Sequence, residues 1–166
     1  MKLYEPFQFL TAEECDEIIE YAHDKIVDGT TLGKYTGRNN RVAWYKESKY
    51  WAKWIELFNS IDPVIDWIQT PQIAFYKPGE HYDWHDDRWP SYRTHTRHFT
   101  LTCELQSAPG GKLEFENNNF MLRRGQAIIF KPSDRHKAVS PTDGERISFT
   151  IWAMAKNTNK IGRAHV

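Results

Sequence analysis

Cysteine is scarce in this chain: two in 166 residues, Cys15 and Cys103, with no C-x-x-C spacing. That gives neither a disulfide framework nor a zinc knuckle, so both are expected as reduced core residues. Net charge is missing as well. Lys plus Arg and Asp plus Glu number 22 each, so no long-range field selects nucleic acid, a membrane surface or a highly acidic partner. Long apolar runs are absent too. The opening MKLYEPFQFL holds no uninterrupted apolar stretch of signal-peptide length, and no later run approaches the ~20 residues that span a bilayer. The expected location is therefore cytoplasmic, with neither nucleic acid nor membrane as a partner. Internal repeats and low-complexity linkers are also lacking.

What is present is aromatic bulk: seven Trp, nine Phe and eight Tyr in a chain whose mean hydropathy is −0.71. Bulky core material in a polar, well-solvated chain of this length suits one domain that buries roughly 70% of its unfolded surface. Residues 1–155 are expected to form that domain, and 156–166 a polar tail.

Two helices are legible near the start. In LTAEECDEIIEYAHDKI, Thr11 and Glu14 form a capping box and Leu10 is placed to staple onto Cys15. Cys15, Ile18, Ile19, Ala22 and Ile26 then recur at helical spacing. Trp51, Trp54, Ile55, Phe58 and Ile61 make a second apolar face, broken near Pro63. Between them, residues 28–40 carry three Gly and little apolar content, which predicts a long loop or irregular hairpin.

After residue 70 the period becomes two. In RHFTLTCEL, Phe99, Leu101, Cys103 and Leu105 alternate with His98, Thr100, Thr102 and Glu104, so the strand separates two environments. QIAFYK, KLEFE, QAIIF and RISFTIWAM read as further short strands, punctuated by KPGE, SAPGG, RRG, PSD and PTDG. Helices followed by many short strands predict a mainly β antiparallel barrel or sandwich with flanking helices.

The stretch GEHYDWHDDRW nests two His-x-Asp pairs, His81 with Asp83 and His85 with Asp87. All four residues share parity, so on an extended segment they project from one face, and spacing does not choose between the pairs. Either pair plus one imidazole from another strand would make a two-His, one-carboxylate facial set, which leaves positions open on Fe(II). His136 follows a turn after an apolar strand, and Arg146 and Ser148 alternate with Ile147 and Phe149 on the next one. An arginine directed into a barrel demands an anion, and its planar fork suits a carboxylate. Taken singly, His136 also suits a turn cap and Arg146 a surface ion pair. Together with the upstream pairs they form a metal site with an acid-binding group.

From about Phe7 to Trp152 the chain resembles the Fe(II)- and 2-oxoglutarate-dependent dioxygenases, prolyl 4-hydroxylase-like branch. The residues that carry this are FLTAEECDEII; Tyr76, Gly79, Tyr82, His85 and Asp87; Gly110 and Gly111; Gly125 and Phe130; then His136, Val139, Pro141, Gly144, Arg146 and Trp152. The resemblance implies a double-stranded β-helix, a jelly-roll, cupin-like barrel. It also implies that His85, Asp87 and His136 are the metal ligands, with His81 and Asp83 outside the set. Arg146 would grip the distal carboxylate of 2-oxoglutarate, Tyr76 would donate a hydrogen bond to it, and Ser148 would serve the same end. Fe(II) is the implied metal, 2-oxoglutarate and O2 the cosubstrates, and ascorbate an admissible reductant.

The implied reaction couples oxidative decarboxylation of 2-oxoglutarate to hydroxylation of a C–H bond, with Asp87 in the place that halogenating relatives leave to chloride. The branch points to a prolyl side chain in a peptide or protein; a free amino acid or another small molecule is the alternative. The polar stretches 28–40 and 88–97 are candidate lids, with Arg88, Trp89, Tyr92 and Arg93 as candidate substrate contacts. Two other classes compete: a noncatalytic jelly-roll binding module, and a cupin-type metalloenzyme without a 2-oxo acid. The full ligand set together with Arg146 argues against the first, and Arg146 alone discriminates against the second.

Overall fold

The computed structural model describes residues 2–32, 37–88 and 94–157. Its elements in chain order are β1 (Phe7–Gln8), α1 (Ala12–Ala22), β2 (Val27–Asp28), a 3-10 turn (Gly29–Leu32), β3 (Arg41–Trp44), α2 (Trp51–Ile61), β4 (Ile65–Ile68), β5 (Gln72–Tyr76) and β6 (Tyr82–His85). They continue with β7 (His95–Gln106), β8 (Lys112–Phe115), β9 (Asn119–Phe120), β10 (Gln126–Phe130), β11 (His136–Val139) and β12 (Arg146–Lys156).

The strands form two antiparallel sheets. The larger runs β1-β10-β7-β12-β5-β3-β2, with β4 pairing the far end of β12; the smaller runs β6-β11-β8-β9. This is the jelly-roll, mainly β with two flanking helices. The two long strands, β7 and β12, pair along most of their length and form the spine of the larger sheet.

Both helices cover the outer face of that sheet. Thr11 caps α1 by accepting from the Glu14 amide at 3.1 Å, while the Thr11 amide donates to Glu14 Oε1 at 2.8 Å. Leu10, Cys15, Ile18 and Ala22 are buried beside it. The helix stops at Ala22, so Ile26 falls past its end and stays on the surface. In α2, Trp54 and Phe58 are buried, and the Trp54 ring meets Phe149 of β12 at 5.5 Å. Leu101, Cys103 and Leu105 of β7 and Phe149 and Ile151 of β12 complete this core. Truncating a buried aromatic such as Trp54 costs about 3–5 kcal/mol.

The alternate residues of the same strands, Thr102 of β7 with Arg146, Ser148, Thr150 and Trp152 of β12, line a cavity of about 310 Å³ inside the barrel. Alternation on two strands thus separates an apolar outer layer from a polar interior. One glycine closes the fold beside them. Gly125, at φ +83, accepts from the Phe9 and Leu10 amides and donates to the Glu104 carbonyl. A Cβ there would collide with the Leu10 carbonyl and the Gln8 side chain.

The expected 28–40 loop is in its described part an irregular hairpin: β2 pairs β3, with the 3-10 turn between them. The expected tail begins one residue later than 156, because β12 runs through Lys156; residues 158–166, like Trp89, Tyr92 and Arg93, lie outside the described residues.

Candidate active site

β6 and β11 are neighbours in the smaller sheet, and their register sets His136 opposite His85. Two residues past the end of β6, the Asp87 amide donates to the Pro132 carbonyl at 2.8 Å, which ties this carboxylate to the turn leading into β11. The result is a cluster in which one donor atom each from His85, Asp87 and His136 lies within 4.8 Å of the others. Asp87 Oδ1 is 3.6 Å from His85 Nε2 and 3.4 Å from His136 Nε2.

The surroundings aim those atoms. His85 Nδ1 donates to the Asp83 carbonyl at 2.6 Å and His136 Nδ1 to the Asp134 carbonyl at 2.9 Å, so each Nε2 faces the centre and, in the neutral imidazole, offers its lone pair there. Asp87 Oδ2 accepts from Thr100 Oγ1 at 2.9 Å and from Trp152 Nε1 at 3.2 Å, which leaves Oδ1 for a metal. Arg97 supports the same aspartate from behind, donating to its carbonyl at 3.0 Å and stacking over Trp152 at 3.8 Å.

The electrostatics suit a cation. Burial, and then the nearby His136, hold the His85 imidazole down to about 4, so it is neutral. For Asp87, burial works against the charge, but the His136 hydrogen bond and the surrounding positive groups hold the carboxyl well below its ordinary range. His136 is raised: burial opposes its charge, and the contact with Asp87 outweighs burial. Two imidazoles and one carboxylate with their other polar atoms satisfied fit Fe(II), leaving further coordination positions for ligands.

His81 and Asp83 are not brought into this cluster. Both are exposed; the His81 amide donates to Asn39 Oδ1, and the Asp83 carboxylate accepts from the Trp84 amide. The two motifs share parity, and it is the pairing of β6 with β11 that separates them.

Arg146 is 2% exposed and lines the cavity. The expectation that it needs an anion is met from within the chain: its Nε donates to Glu104 Oε1 at 2.9 Å, and Glu104 is itself 3% exposed. Burial pushes the Glu104 carboxyl up, and Arg146 and Ser107 pull it part of the way back. Glu104 uses only Nε, so among the described residues Nη1 and Nη2 keep their hydrogens free for a ligand. Gly111 makes room for this side chain, since a Cβ there would lie 3.0 Å from Arg146 Cδ. Tyr76 and Ser148, both buried and lining the same cavity, make no side-chain hydrogen bond among the described residues. Burial raises the Tyr76 phenol, which keeps it a hydrogen-bond donor.

Several contributors were not singled out from the sequence. Glu104 alternates with the apolar face of its strand, but nothing in the spacing names Arg146 as its partner. Thr100 and Trp152 sit at correct parity for the interior with no local signal that they meet Asp87. Arg38, within the polar 28–40 stretch, also lines the cavity. Arg88, which the sequence did offer as a candidate substrate contact, lines it too and is paired with Asp86 at 2.8 Å.

A jelly-roll that gathers two imidazoles and one carboxylate beside a buried arginine has the donor set that a metal-dependent oxygenase of the two-histidine, one-carboxylate class requires. The chain belongs to the 2OG-Fe(II) oxygenase superfamily, whose description matches residues 71–154, half of its length. It is thus a 2-oxoglutarate-dependent dioxygenase, using Fe(II), 2-oxoglutarate and O2. Among solved structures, it is similar to the viral collagen prolyl hydroxylase of Paramecium bursaria Chlorella virus-1 in its 2-oxoglutarate complex. The TM-score is 0.73 at 25% identity, covering 93% of this chain and 97% of that one. A Pseudomonas putida prolyl-4-hydroxylase shares the fold with TM-score 0.74 at 18% identity, covering 92% of each chain. A Trichoplax adhaerens prolyl hydroxylase, solved with a hypoxia inducible factor peptide fragment, shares it with TM-score 0.64 at 18% identity, covering 95% of this chain and 85% of that one. No curated protein matches the chain in sequence. Among the described residues, no helix is long and apolar enough to cross a membrane.

Proposed function

We propose that this dioxygenase hydroxylates a prolyl side chain in a peptide or protein, with His85, Asp87 and His136 as its Fe(II) ligands. Arg146 binds the distal carboxylate of 2-oxoglutarate in this reading, assisted by the hydroxyls of Tyr76 and Ser148. The observation that carries it is the shared cavity: the three converging donor atoms and the free Nη groups of Arg146 line one space of about 310 Å³. The prolyl substrate rests on the likeness to the viral enzyme, whose structure is named as a collagen prolyl hydroxylase. One oxygenase domain over residues 1–155 and a cytoplasmic location belong to the same reading.

Iron, when bound, activates O2 so that 2-oxoglutarate is converted to succinate and CO2 while one oxygen atom enters a substrate C–H bond. The chain's own residues do the positioning. Thr100 and Trp152 hold Asp87 Oδ2, so that Oδ1 and the two Nε2 atoms converge without rearrangement. Glu104 holds Arg146 by Nε, which orients the planar fork for two parallel hydrogen bonds to a carboxylate. Ring stacking of Tyr82 on His85, 3.5 Å apart and 6° from parallel, shields that imidazole from water.

The test is a panel assay with Fe(II), 2-oxoglutarate, O2 and ascorbate, scoring succinate and substrate oxidation together on proline-rich peptides and on free amino acids. Succinate that rises with a peptide, matched by hydroxyproline in that peptide, is the expected result. Coupled turnover with a free amino acid and none with any peptide would overturn the peptide assignment.

A further inference from the structure

Among the described residues, one buried cation lining this cavity makes no ion pair. Arg38 is 8% exposed and lines the same space as the His85, Asp87 and His136 cluster. Its Nε donates to Asn40 Oδ1 at 2.8 Å and its Nη2 to Gln72 Oε1 at 3.4 Å. Its guanidinium lies 4.2 Å from the centre of the Tyr82 ring, and Tyr82 stacks in turn on His85. These partners are two amide oxygens and an aromatic face, all neutral. Among the described residues Arg38 makes no ion pair, whereas Arg146 has Glu104, Arg88 has Asp86 and Arg41 has Glu80. Its Nη1 makes no hydrogen bond among them.

A guanidinium removed from water without a counter-ion is unfavourable unless an anion completes the site. Amide oxygens and a π face soften that penalty but leave the charge uncompensated. The position is also specific. An isolated bridge joins Arg38 to Tyr82, so this cation stands at the seam where the β3 side of the larger sheet meets β6 of the smaller one. Arg146, on β12, lies on the other side of Tyr76, to which it is register-paired. Four arginines line the cavity, Arg38, Arg88, Arg97 and Arg146; of the two buried ones, Arg146 carries a built-in counter-ion and Arg38, among the described residues, does not.

Building on the functional reading above, we propose that Arg38 anchors a carboxylate of the substrate, while Arg146 serves the cosubstrate. The substrate class is thereby narrowed to molecules that carry a carboxylate close to the oxidised carbon. Two sources share this chemistry: the main-chain carboxylate of the oxidised residue itself, as in a free amino acid or a C-terminal residue, and the side chain of a neighbouring acidic residue in a peptide.

Binding calorimetry on protein loaded with Mn(II) and saturated with 2-oxoglutarate tests this, because the Arg146 subsite is then filled. Two acid and amide pairs serve as probes: N-acetyl-L-proline against N-acetyl-L-prolinamide, and acetyl-Pro-Asp-amide against acetyl-Pro-Asn-amide. The expected result is that in at least one pair the acid binds about 10- to 150-fold tighter than the amide, and the pair that shows it identifies the source. Arg38→Gln should abolish that gap while leaving 2-oxoglutarate affinity unchanged, and Arg38→Lys should keep part of it. A purely structural arginine would weaken acid and amide alike. Should Arg38→Gln not fold, Arg38→Lys decides. A reduced acid preference at unchanged 2-oxoglutarate affinity supports the anchor, and an unaltered preference overturns it. Equal affinity for acid and amide in both pairs overturns the proposal, as does an Arg38→Gln variant that loses 2-oxoglutarate instead. A parent that fails to bind Mn(II) or 2-oxoglutarate would instead sink the functional reading beneath it.

Discussion

Replacing Arg146 by Met should damage the fold as well as the cosubstrate site. The side chain is paired with Glu104 at 2.9 Å, and the two residues are 2% and 3% exposed. Removing one partner of a buried pair strands the other charge, at a cost of about 3–5 kcal/mol. For a chain of this length each kcal/mol moves the melting temperature by roughly 2–4 °C, so Arg146→Met should melt about 6–20 °C below the parent. The double variant Arg146→Met/Glu104→Leu removes both charges and should recover most of that loss, since apolar replacement of a buried pair is often neutral. It should not recover 2-oxoglutarate binding, which stays about 10- to 150-fold weaker without the charge-assisted hydrogen bonds. The assay is differential scanning calorimetry of the metal-free proteins, followed by 2-oxoglutarate titration of the Mn(II)-loaded proteins. Should the single variant melt within about 1 °C of the parent, the pair is not energetically coupled and the reasoning fails. Should the double variant bind 2-oxoglutarate like the parent, Arg146 is not the anchor.

Thr100→Val and Trp152→Phe each remove one donor from Asp87 Oδ2. Each should weaken metal binding by about 10- to 100-fold, as loss of outer partners does elsewhere; Mn(II) titration reads this, and parent-like affinity in both would refute it. The pH response of the metal-free protein follows from His136, whose folded pKa is raised. The stabilising contact of charged His136 with Asp87 is complete below the ordinary imidazole value of about 6.5 and is lost as pH rises through the folded value. Asp87, held low, stays ionised across that window and contributes a constant term. Metal needs the neutral imidazole, so the rise in melting temperature on adding Mn(II) should grow as pH rises above the ordinary imidazole value of about 6.5. A constant or shrinking increment would count against His136 as a ligand.

Local pattern fixed a large part of this architecture. The Thr11–Glu14 cap, the Trp54 and Phe58 face and the alternation of residues 98–105 each encode their own structure within a few positions, and all three appear in the fold. Ile26 continued the helical period on paper, yet the helix ended first. Strands β1, β2, β3 and β4 are two to four residues long and exist because longer neighbours recruit them, so no periodicity announces them. The site divides the same way. Parity alone could place His81, Asp83, His85 and Asp87 on one face, but the pairing of His136 with His85 is a long-range event. Glu104 pairs with a residue 42 positions away, and Arg38 meets Gln72 34 positions away. Such contacts are set by sheet topology, which no local spacing contains.

The central claim is that His85, Asp87 and His136 hold the iron, and iron content tests it most directly. The parent and the variants His85→Ala, Asp87→Ala, His136→Ala, His81→Ala and Asp83→Ala would be loaded anaerobically with Fe(II), desalted and assayed for metal per chain. Removing one of three ligands leaves too weak a site, so the first three variants should come through the column without iron. His81→Ala and Asp83→Ala should retain one iron per chain, like the parent. Iron lost from His81→Ala and kept by His85→Ala would contradict the account.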